Sequence, residues 1–521
     1  MEPLNMSIDE DTGKPEVTTD INITGEEEKI FDTLLEVAKL NSLNTTIRVN
    51  GGWVRDKMLH KDSKDIDFAL DDISGAEFAG MLSKHLYPGE KEKFGVIKAN
   101  SEKSKHLETA TLKVHGQFID LVNLRCEEYA DDSRVPEIKI GTPLQDALRR
   151  DLTINSMFYN INEKKIEDFT EKGIDDLREG IIRTPLEPLQ TFLDDPLRIL
   201  RTIRFATRFG FKIVDDIHEA IAQPGIKEAL AKKVTFERIG RETDLMLSGE
   251  NPEDSIEYFH RYQIFSHLLK FPSTCEPLQS EEAVNEYTFE SLKICKILGK
   301  LFKEIKANTS FMGIEWLQGD QLKEFQRNLF YSAILVPFRS YEYSIKKGKK
   351  LKQEKVHSYV MYESLKQPNK SKNFAAGCLD NLDRLIELAN QEHFNTLEIG
   401  LFVKQLGDLV HPTILLAICL ESFGMYFHDP EAELEKEKID EFVEKYQQFY
   451  AKMIEAKVNN AHKIKPLLNG KDLMTLYHIK GGAVLKILVE EVFKWQILNP
   501  DGTKDDLSEY MLSKKDEFIN R

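Results

Sequence analysis

The chain has 521 residues, 71 Lys and Arg against 88 Asp and Glu, and a formal net charge of −17. That length exceeds what one hydrophobic core fills, so several domains are expected; 41% apolar residues predict folded structure and 31% charged residues much exposed helix. An acidic total excludes a uniformly basic nucleic-acid binder, so any polyanion surface has to be a local basic patch, with strongly salt-dependent binding. Five scattered cysteines without a Cys-x-x-Cys spacing argue against a disulfide framework or a zinc site and for a reducing compartment.

Residues 1 to about 25 read as a disordered acidic tail. Met1 to Asp20 lacks both an apolar signal core and an Arg-rich leader, and Met6 offers an alternative start. From Glu26 to about Asn160, β-type runs alternate with helical segments, which predicts a compact α/β head. Ile47 to Asn50 is an apolar strand, Gly51-Gly52 follows, and Trp53 to Leu59 reads as a short helix carrying Arg55. Glycine there lets the backbone approach a ligand, and the free N–H groups of a helix start bind phosphate oxygens. The next strand, Lys64 to Leu70, places Asp65 and Asp67 on one side and Ile66 and Phe68 on the other. Two neighbouring anions on one face repel unless a cation sits between them, and hard oxygen ligands suit Mg²⁺. Strand, Gly-Gly, helix and Asp-x-Asp together describe a metal–triphosphate site.

Lys98 to Lys105 is a polar connection between strands, and a mobile loop beside an active site is its second reading. Ala147 to Met157 reads as one helix, in which Asp151 and Asn155 share a face after Arg149 and Arg150. A planar guanidinium near a triphosphate is a natural clamp, and Asp151 and Asn155 suit hydrogen bonding to a ribose. Ile166 to Thr184 is turn-rich and suits a hinge. After Pro185 the apolar period stays near 3.6, so the remainder is expected to be helical. In Phe192 to Arg208, Asp195 is the expected N-cap and Pro196 the first helical residue. Arg198, Arg201, Arg204 and Arg208 fall on one stripe opposite Ile199, Leu200, Ile203 and Ala206, with no acid on the same helix. Four cations so arranged call for an anion. In Thr235 to Glu242 the pairs Glu237–Arg241 and Arg238–Glu242 have i,i+4 spacing. Ser344 to Lys352 is the most basic segment, read as a solvated loop with a phosphate contact as the second reading. Pro412 to Leu420 is too short to span a bilayer and reads as a buried helix.

The Gly-Gly-helix-Asp-x-Asp order resembles the DNA polymerase β-like nucleotidyltransferases, in which two aspartates hold the metals and a third acid follows on a neighbouring strand. Phe118 to Val122 fits that strand, which makes Asp120 the candidate and Glu108 its competitor. With Arg149-Arg150-Asp151, the hinge Gly173 to Gly180, Asp194-Asp195-Pro196-Leu197-Arg198 and Thr235 to Glu242, the chain further resembles the CCA-adding enzymes of the eukaryotic and bacterial type. The match is dense from about Asn50 to Glu242 and loose afterwards; Asp194 stands where bacterial members often carry Glu.

The resemblance implies a seahorse-like molecule. A polymerase β-like α/β head (small mixed sheet with flanking helices, 26–184) would follow the tail (1–25). An all-α neck (185–270), body (271–410) and tRNA-binding tail (411–521) would complete it. It implies that Asp65 and Asp67 bind two Mg²⁺ ions and that Gly51, Gly52, Arg55 and Arg150 hold the triphosphate, helped by Arg201 and Arg204. Asp151 and Asn155 would face the ribose, and Asp195 and Arg198 would read the base edges of CTP and then ATP. The expected activity is template-independent addition of the 3′-terminal CCA to tRNA. The expected protein is a monomer without membrane association, cytoplasmic and also nuclear and mitochondrial. A poly(A) polymerase or an enzyme adding only C or only A shares these head motifs; a non-catalytic tRNA-binding protein would be expected to have lost the acids.

Overall fold

The computed structural model describes residues 7–9, 13–61, 63, 65–91, 93–97, 109–128, 137–275, 278–307, 317–347, 350–425 and 436–519. They belong to two compact units, Met1–Asn251 and Pro252–Arg521. The competing acid Glu108, the loop Lys98 to Lys105, and Lys64 lie outside the described residues.

In the first unit, α1 (Gly25–Leu40) starts at a capping box in which Thr24 and Glu27 bond each other's backbone N–H groups. Then come β1 (Ile47–Asn50), α2 (Gly51–Met58), β2 (Ile66–Leu70), α3 (Gly75–Leu86), β3 (Phe94–Ile97), β4 (Thr109–Val114) and β5 (Gln117–Asn123). A separate hairpin, β6 (Arg125–Glu128) with β7 (Glu137–Ile140), precedes α4 (Pro143–Leu148), β8 (Phe158–Asn160) and β9 (Lys165–Glu167). Seven strands make a mixed sheet in the order β3-β4-β5-β2-β1-β8-β9, with β2 and β5 parallel and the other neighbours antiparallel.

Period-two patterning sorts the two sheet faces. Ile66, Phe68, Ile119 and Leu121 are buried on one face, where Phe31 of α1 sits edge-on to Phe68 at 5.8 Å and to Trp53 at 5.9 Å. Each such side chain contributes roughly 2 kcal/mol by leaving water. Asp67 and Asp120 point to the other face. Its far end is closed by Ala69, Leu124, Ala147 and Phe158, so α4 packs over the face that carries the acids.

Ala147–Met157 is not one helix. After α4 the chain turns, Leu152 is extended (φ −137°, ψ 146°), and a single 3-10 turn spans Thr153–Asn155. Asp151 accepts a hydrogen bond from Leu152 N (2.9 Å), and Thr153 N donates to Arg183 O (2.9 Å). These local and long-range bonds compete with the helical ladder and win. Asp151 and Asn155 still meet, because Asn155 Nδ2 donates to Asp151 at 3.2 Å. Within the expected tail, Thr18 N donates to Met58 O (3.0 Å) and Lys14 pairs with Glu179 (2.5 Å).

The hinge region forms α5 (Gly173–Glu179) and β10 (Ile181–Ile182), and β10 pairs in parallel with β11 (Lys212–Ile213). Between them lie α6 (Pro188–Asp194) and α7 (Leu197–Phe209); α8 (Asp215–Ile221), α9 (Pro224–Lys233) and α10 (Phe236–Leu247) complete the unit. Pro196 already has helical angles (φ −62°, ψ −17°), whereas Asp195 is extended (φ −137°, ψ 98°) and both ends α6 and leads into α7. The Asp195 carboxylate accepts from Leu197 N at 3.2 Å, the bond of a capping residue. Ile199, Leu200, Ile203 and Ala206 are buried, as the stripe predicts.

The second unit is mostly helical. It runs α11 (Pro252–Arg261), α12 (Phe265–Leu268), α13 (Glu281–Ala307) and α14 (Gly319–Leu335), then β12 (Glu342–Lys347) and β13 (Lys350–Lys355). After these come α15 (Val356–Tyr359), α16 (Asn369–Ala389), α17 (Thr396–Leu406), α18 (Val410–Gly424), α19 (Lys436–Glu455), α20 (Gly470–Tyr477) and α21 (Ala483–Leu498). The basic segment is therefore an antiparallel hairpin, not a loop. Its lysines hide the alternation of Tyr343 and Ile345 from a hydrophobic count. The stretch Thr396–Gly424 is long and apolar enough to cross a membrane by composition. Gly407 (φ +65°) breaks it into α17 and α18, and α18 is buried against α13, α16 and α19. Pro412 to Leu420 is a buried helix segment, as expected.

Candidate active site

The start of α2 is pressed against the 3-10 turn. Gly51 N donates to Met157 O (2.9 Å), and a Cβ on Gly51 would lie 2.2 Å from Asn155 O and 2.8 Å from Arg150 Nη1. Only glycine fits there. Gly52 is exposed, and nothing lies nearer to its Cβ position than Arg55 Nη2 at 3.9 Å. Asn50, at the N-cap, makes no side-chain cap bond, and its buried Oδ1 has no partner among the described residues. The protein therefore leaves this helix start open for an anion.

Asp65 immediately precedes β2, and both Asp65 and Asp67 are exposed while Ile66 and Phe68 are buried. The parallel register sets Asp67 beside Asp120, and the antiparallel register sets Asp120 beside Thr111, whose hydroxyl donates to it at 2.5 Å. Partial enclosure by protein raises the Asp67 carboxyl above its ordinary range, as do Asp120 and Asp65; Arg150 opposes the rise. Among the described residues no three His, Cys, Asp or Glu side chains are drawn together closely enough to hold an ion. The chemistry of Asp65, Asp67 and Asp120 still fits a hard divalent cation: carboxylates exposed on one side of β2, with Asp120 beside Asp67 in register.

In the sequence Phe118 is only an apolar flank of the Asp120 strand, yet it faces solvent. It lies on β5 two residues before Asp120, is 66% exposed, and has Lys113 Nζ 5.7 Å from its ring centre. An apolar residue in the polar phase of a period-two strand was the available signal.

Arg149 and Arg150 both bind Asp146, at 2.5 and 2.8 Å, another residue the sequence did not single out. Burial works against the Asp146 charge, but the two guanidiniums prevail and hold the carboxyl at about 2. Arg150 also donates to Asn155 O (3.2 Å) and lies over Phe158. Buried Asp151 is likewise held at about 2, burial being outweighed by Arg201 at 2.7 Å and by Asn155. Arg55 donates to Asn155 Oδ1, pairs with Asp56 (2.7 Å), and sits 5.0 and 5.1 Å from the ring centres of Phe205 and Phe209.

The arginine stripe finds its anions on other elements. Glu242 of α10 binds Arg204 at 2.7 Å and Arg201 at 3.6 Å, and Asp56 lies 3.8 Å from Arg208. Burial and repulsion from Arg55 and Arg204 lower Arg208 to about 10, despite Asp56. Arg198 instead donates to Arg149 O (2.5 Å) and Thr191 O (3.3 Å). Arg238 reaches Asp195 at 2.7 Å. The i,i+4 pairing of Arg238 with Glu242 is therefore replaced by bonds from both residues to the α7 region.

A nucleotidyltransferase class is defined at this point, because residues 47–183 match the family model described as the poly A polymerase head domain. Over nearly the whole length, the chain is 33% identical to the mitochondrial CCA tRNA nucleotidyltransferase of Candida glabrata, covering 95% of this chain and 96% of that one. It is also 33% identical to the mitochondrial enzyme of the same name from Saccharomyces cerevisiae, over 89% and 87% of the two chains. The chain belongs to the CCA tRNA nucleotidyltransferase family. Its fold is that of a CCA-adding enzyme in apo form (TM-score 0.62, 21% identity, 94% and 96% covered). It is also that of the Thermotoga maritima CCA-adding enzyme complexed with tRNA (TM-score 0.58, 19% identity, 94% and 96% covered).

Proposed function

We propose that this protein adds and repairs the 3′-terminal CCA of tRNA, transferring CMP and then AMP from CTP and ATP with release of pyrophosphate. The observation that carries the reading is the register that sets Asp67 beside Asp120, next to the open helix start at Gly52. Asp65 and Asp67 would hold Mg²⁺, with Asp120 as the adjacent third carboxylate. Bound there, the ions would acidify the tRNA 3′-hydroxyl and neutralise the leaving pyrophosphate.

The chain's own residues position the reactants. The α2 start at Gly51 and Gly52 receives phosphate oxygens, and Arg150, steadied by Asp146 and Phe158, adds a cation. Both ends of the Asn155 amide are used, one by Arg55 and the other on Asp151. Asn155 thus aligns those two groups; Asp151, whose oxygens already accept from Leu152 N, Asn155 and Arg201, would meet the ribose only by exchanging one of these bonds. Arg201 and Arg204, the expected helpers of the triphosphate, are already paired with Asp151 and Glu242 and act at most through those partners. Asp195 accepts from an exocyclic amine and Arg198 donates to the ring acceptor beside it. Cytosine and adenine share that pattern; uracil and guanine reverse it.

We read the protein as a monomer in solution. The names of its relatives support a mitochondrial location, to which we add cytoplasm and nucleus. The test supplies purified protein with Mg²⁺, tRNA lacking its CCA end, and each nucleotide singly and together. Two C then one A is expected; a long A tail from ATP alone, or only C or only A transferred, would replace this reading.

A further inference from the structure

The β12–β13 hairpin of the second unit has no role in nucleotide transfer as described above. Six residue pairs join it, from Glu342 with Lys355 to Lys347 with Lys350, and among the described residues no third strand extends it. An isolated two-stranded ribbon is marginal in water, so its base has to be held. Tyr343 is buried, stands edge-on to Tyr359 at 5.3 Å and donates to Glu354 (3.3 Å). Val356 is buried and its N–H donates to Tyr341 O (3.0 Å), while Tyr341 and Tyr287 share a hydroxyl hydrogen bond.

From that anchor the two strands extend about 20 Å. They carry five lysines against two glutamates in a chain whose net charge is −17. Both glutamates sit towards the base: Glu342 pairs with Lys355 (2.9 Å), and Glu354 bonds Tyr343 and lies 3.5 Å from Lys352. Lys346 and Lys350 are exposed and have no acidic partner among the described residues. By the register, Lys350 and Lys352 lie on one face of the ribbon and Lys346 on the other, beside Leu351, which is 71% exposed. A membrane surface meets a ribbon on one side only. A ribbon basic on both faces suits two phosphate walls, as in a groove of an RNA helix.

We propose that this hairpin grips the sugar–phosphate backbone of the double-helical part of the tRNA substrate, away from the transferred nucleotides. The partner named here rests on the function proposed above. Lys346 on one face and Lys350 and Lys352 on the other neutralise phosphates, and Leu351 lies against ribose beside Lys346.

Binding of a tRNA lacking its CCA end to the full-length protein is measured across a salt series by fluorescence anisotropy. K346A/K350A/K352A is expected to bind roughly a hundredfold more weakly at about 0.1 M salt, with the slope of log K against log salt reduced by about 2 to 3. The matching triple arginine variant, K346R/K350R/K352R, should restore both values. Unchanged affinity and slope in the alanine variant would overturn the proposal. So would loss of binding to phosphatidylserine vesicles with tRNA binding intact. Because no turnover enters the readout, a wild-type protein that binds tRNA but adds no nucleotides would defeat the proposed function alone. One that adds CCA normally with the hairpin lysines silent would defeat the hairpin alone.

Discussion

The sheet face with Asp65, Asp67 and Asp120 and the arginine stripe of α7 treat charge in opposite ways. On the sheet, carboxylates face carboxylates: Asp67 and Asp120 are direct neighbours in register, and the Asp67 carboxyl is raised by enclosure and by its neighbours. At the roughly 5 Å spacing of adjacent strands, two full charges repel by about 3 kcal/mol at an effective dielectric near 20. On α7, by contrast, Glu242, Asp151 and Asp56 come from other elements to meet Arg204, Arg201 and Arg208. On the function proposed above the unmatched face would take up a cation, whereas the matched face is already paired within the protein.

The sharpest break in that contrast is Asp67→Asn. Nucleotide transfer should fall by three orders of magnitude or more, while the thermal midpoint stays level or rises, because a repelling charge has been removed. The same outcome is expected for Asp65→Ala. A variant that loses stability together with activity would show these acids to be structural. Glu242→Ala should do the reverse on the matched face. It strands the buried Arg204 guanidinium, so a loss of about 3 kcal/mol in denaturant unfolding is expected. Glu242→Gln should lose less, since an amide oxygen still accepts from Arg204.

How far the sequence foretold this depended on the range of the interaction. Local order was readable: the glycines, the alternation of Ile66, Asp67 and Phe68, and the apolar side of α7 all follow from spacing over a few residues. The register between β2 and β5 spans more than fifty residues, so Asp120 rested on resemblance until the sheet set it beside Asp67. Spacing misled where a tertiary partner outbid a local one. Arg238 and Glu242 look like a helical pair, yet Asp195 and Arg204 take them. Asp146 went unnoticed although the signal was local: Arg149 and Arg150 stand three and four residues after it, the spacing at which helical side chains meet, but the phosphate-clamp reading sends both arginines elsewhere.

Acid should sharpen the contrast next. Asp146 and Asp151 are both held at about 2, below the ordinary aspartate value of 3.8. With the folded-state value depressed, their contribution is complete above the unfolded value and disappears as pH falls from about 4 to about 2. A shift of nearly two units corresponds to roughly 2 kcal/mol for each group. Denaturant midpoints should therefore drop steeply through this window. Asp146→Asn should lower stability at neutral pH and flatten the drop; an equally steep acid limb in that variant would remove Asp146 from the account.

The smallest effect expected is on nucleotide choice. Asp195 is held by Arg238 from a different helix, while Arg198 is held by two backbone carbonyls. On the proposed function Arg198→Ala deletes the donor to the base, so discrimination between CTP and UTP should fall by roughly tenfold to a hundredfold, equivalent to about 1–3 kcal/mol. Arg238→Ala only loosens the aim of Asp195, which keeps its bond from Leu197 N. Its discrimination should fall by several-fold at most, with metal dependence unchanged. If Arg238→Ala instead matched Arg198→Ala in selectivity loss, Arg238 would itself belong to the base-reading surface, and the matched face would be more than a supporting wall.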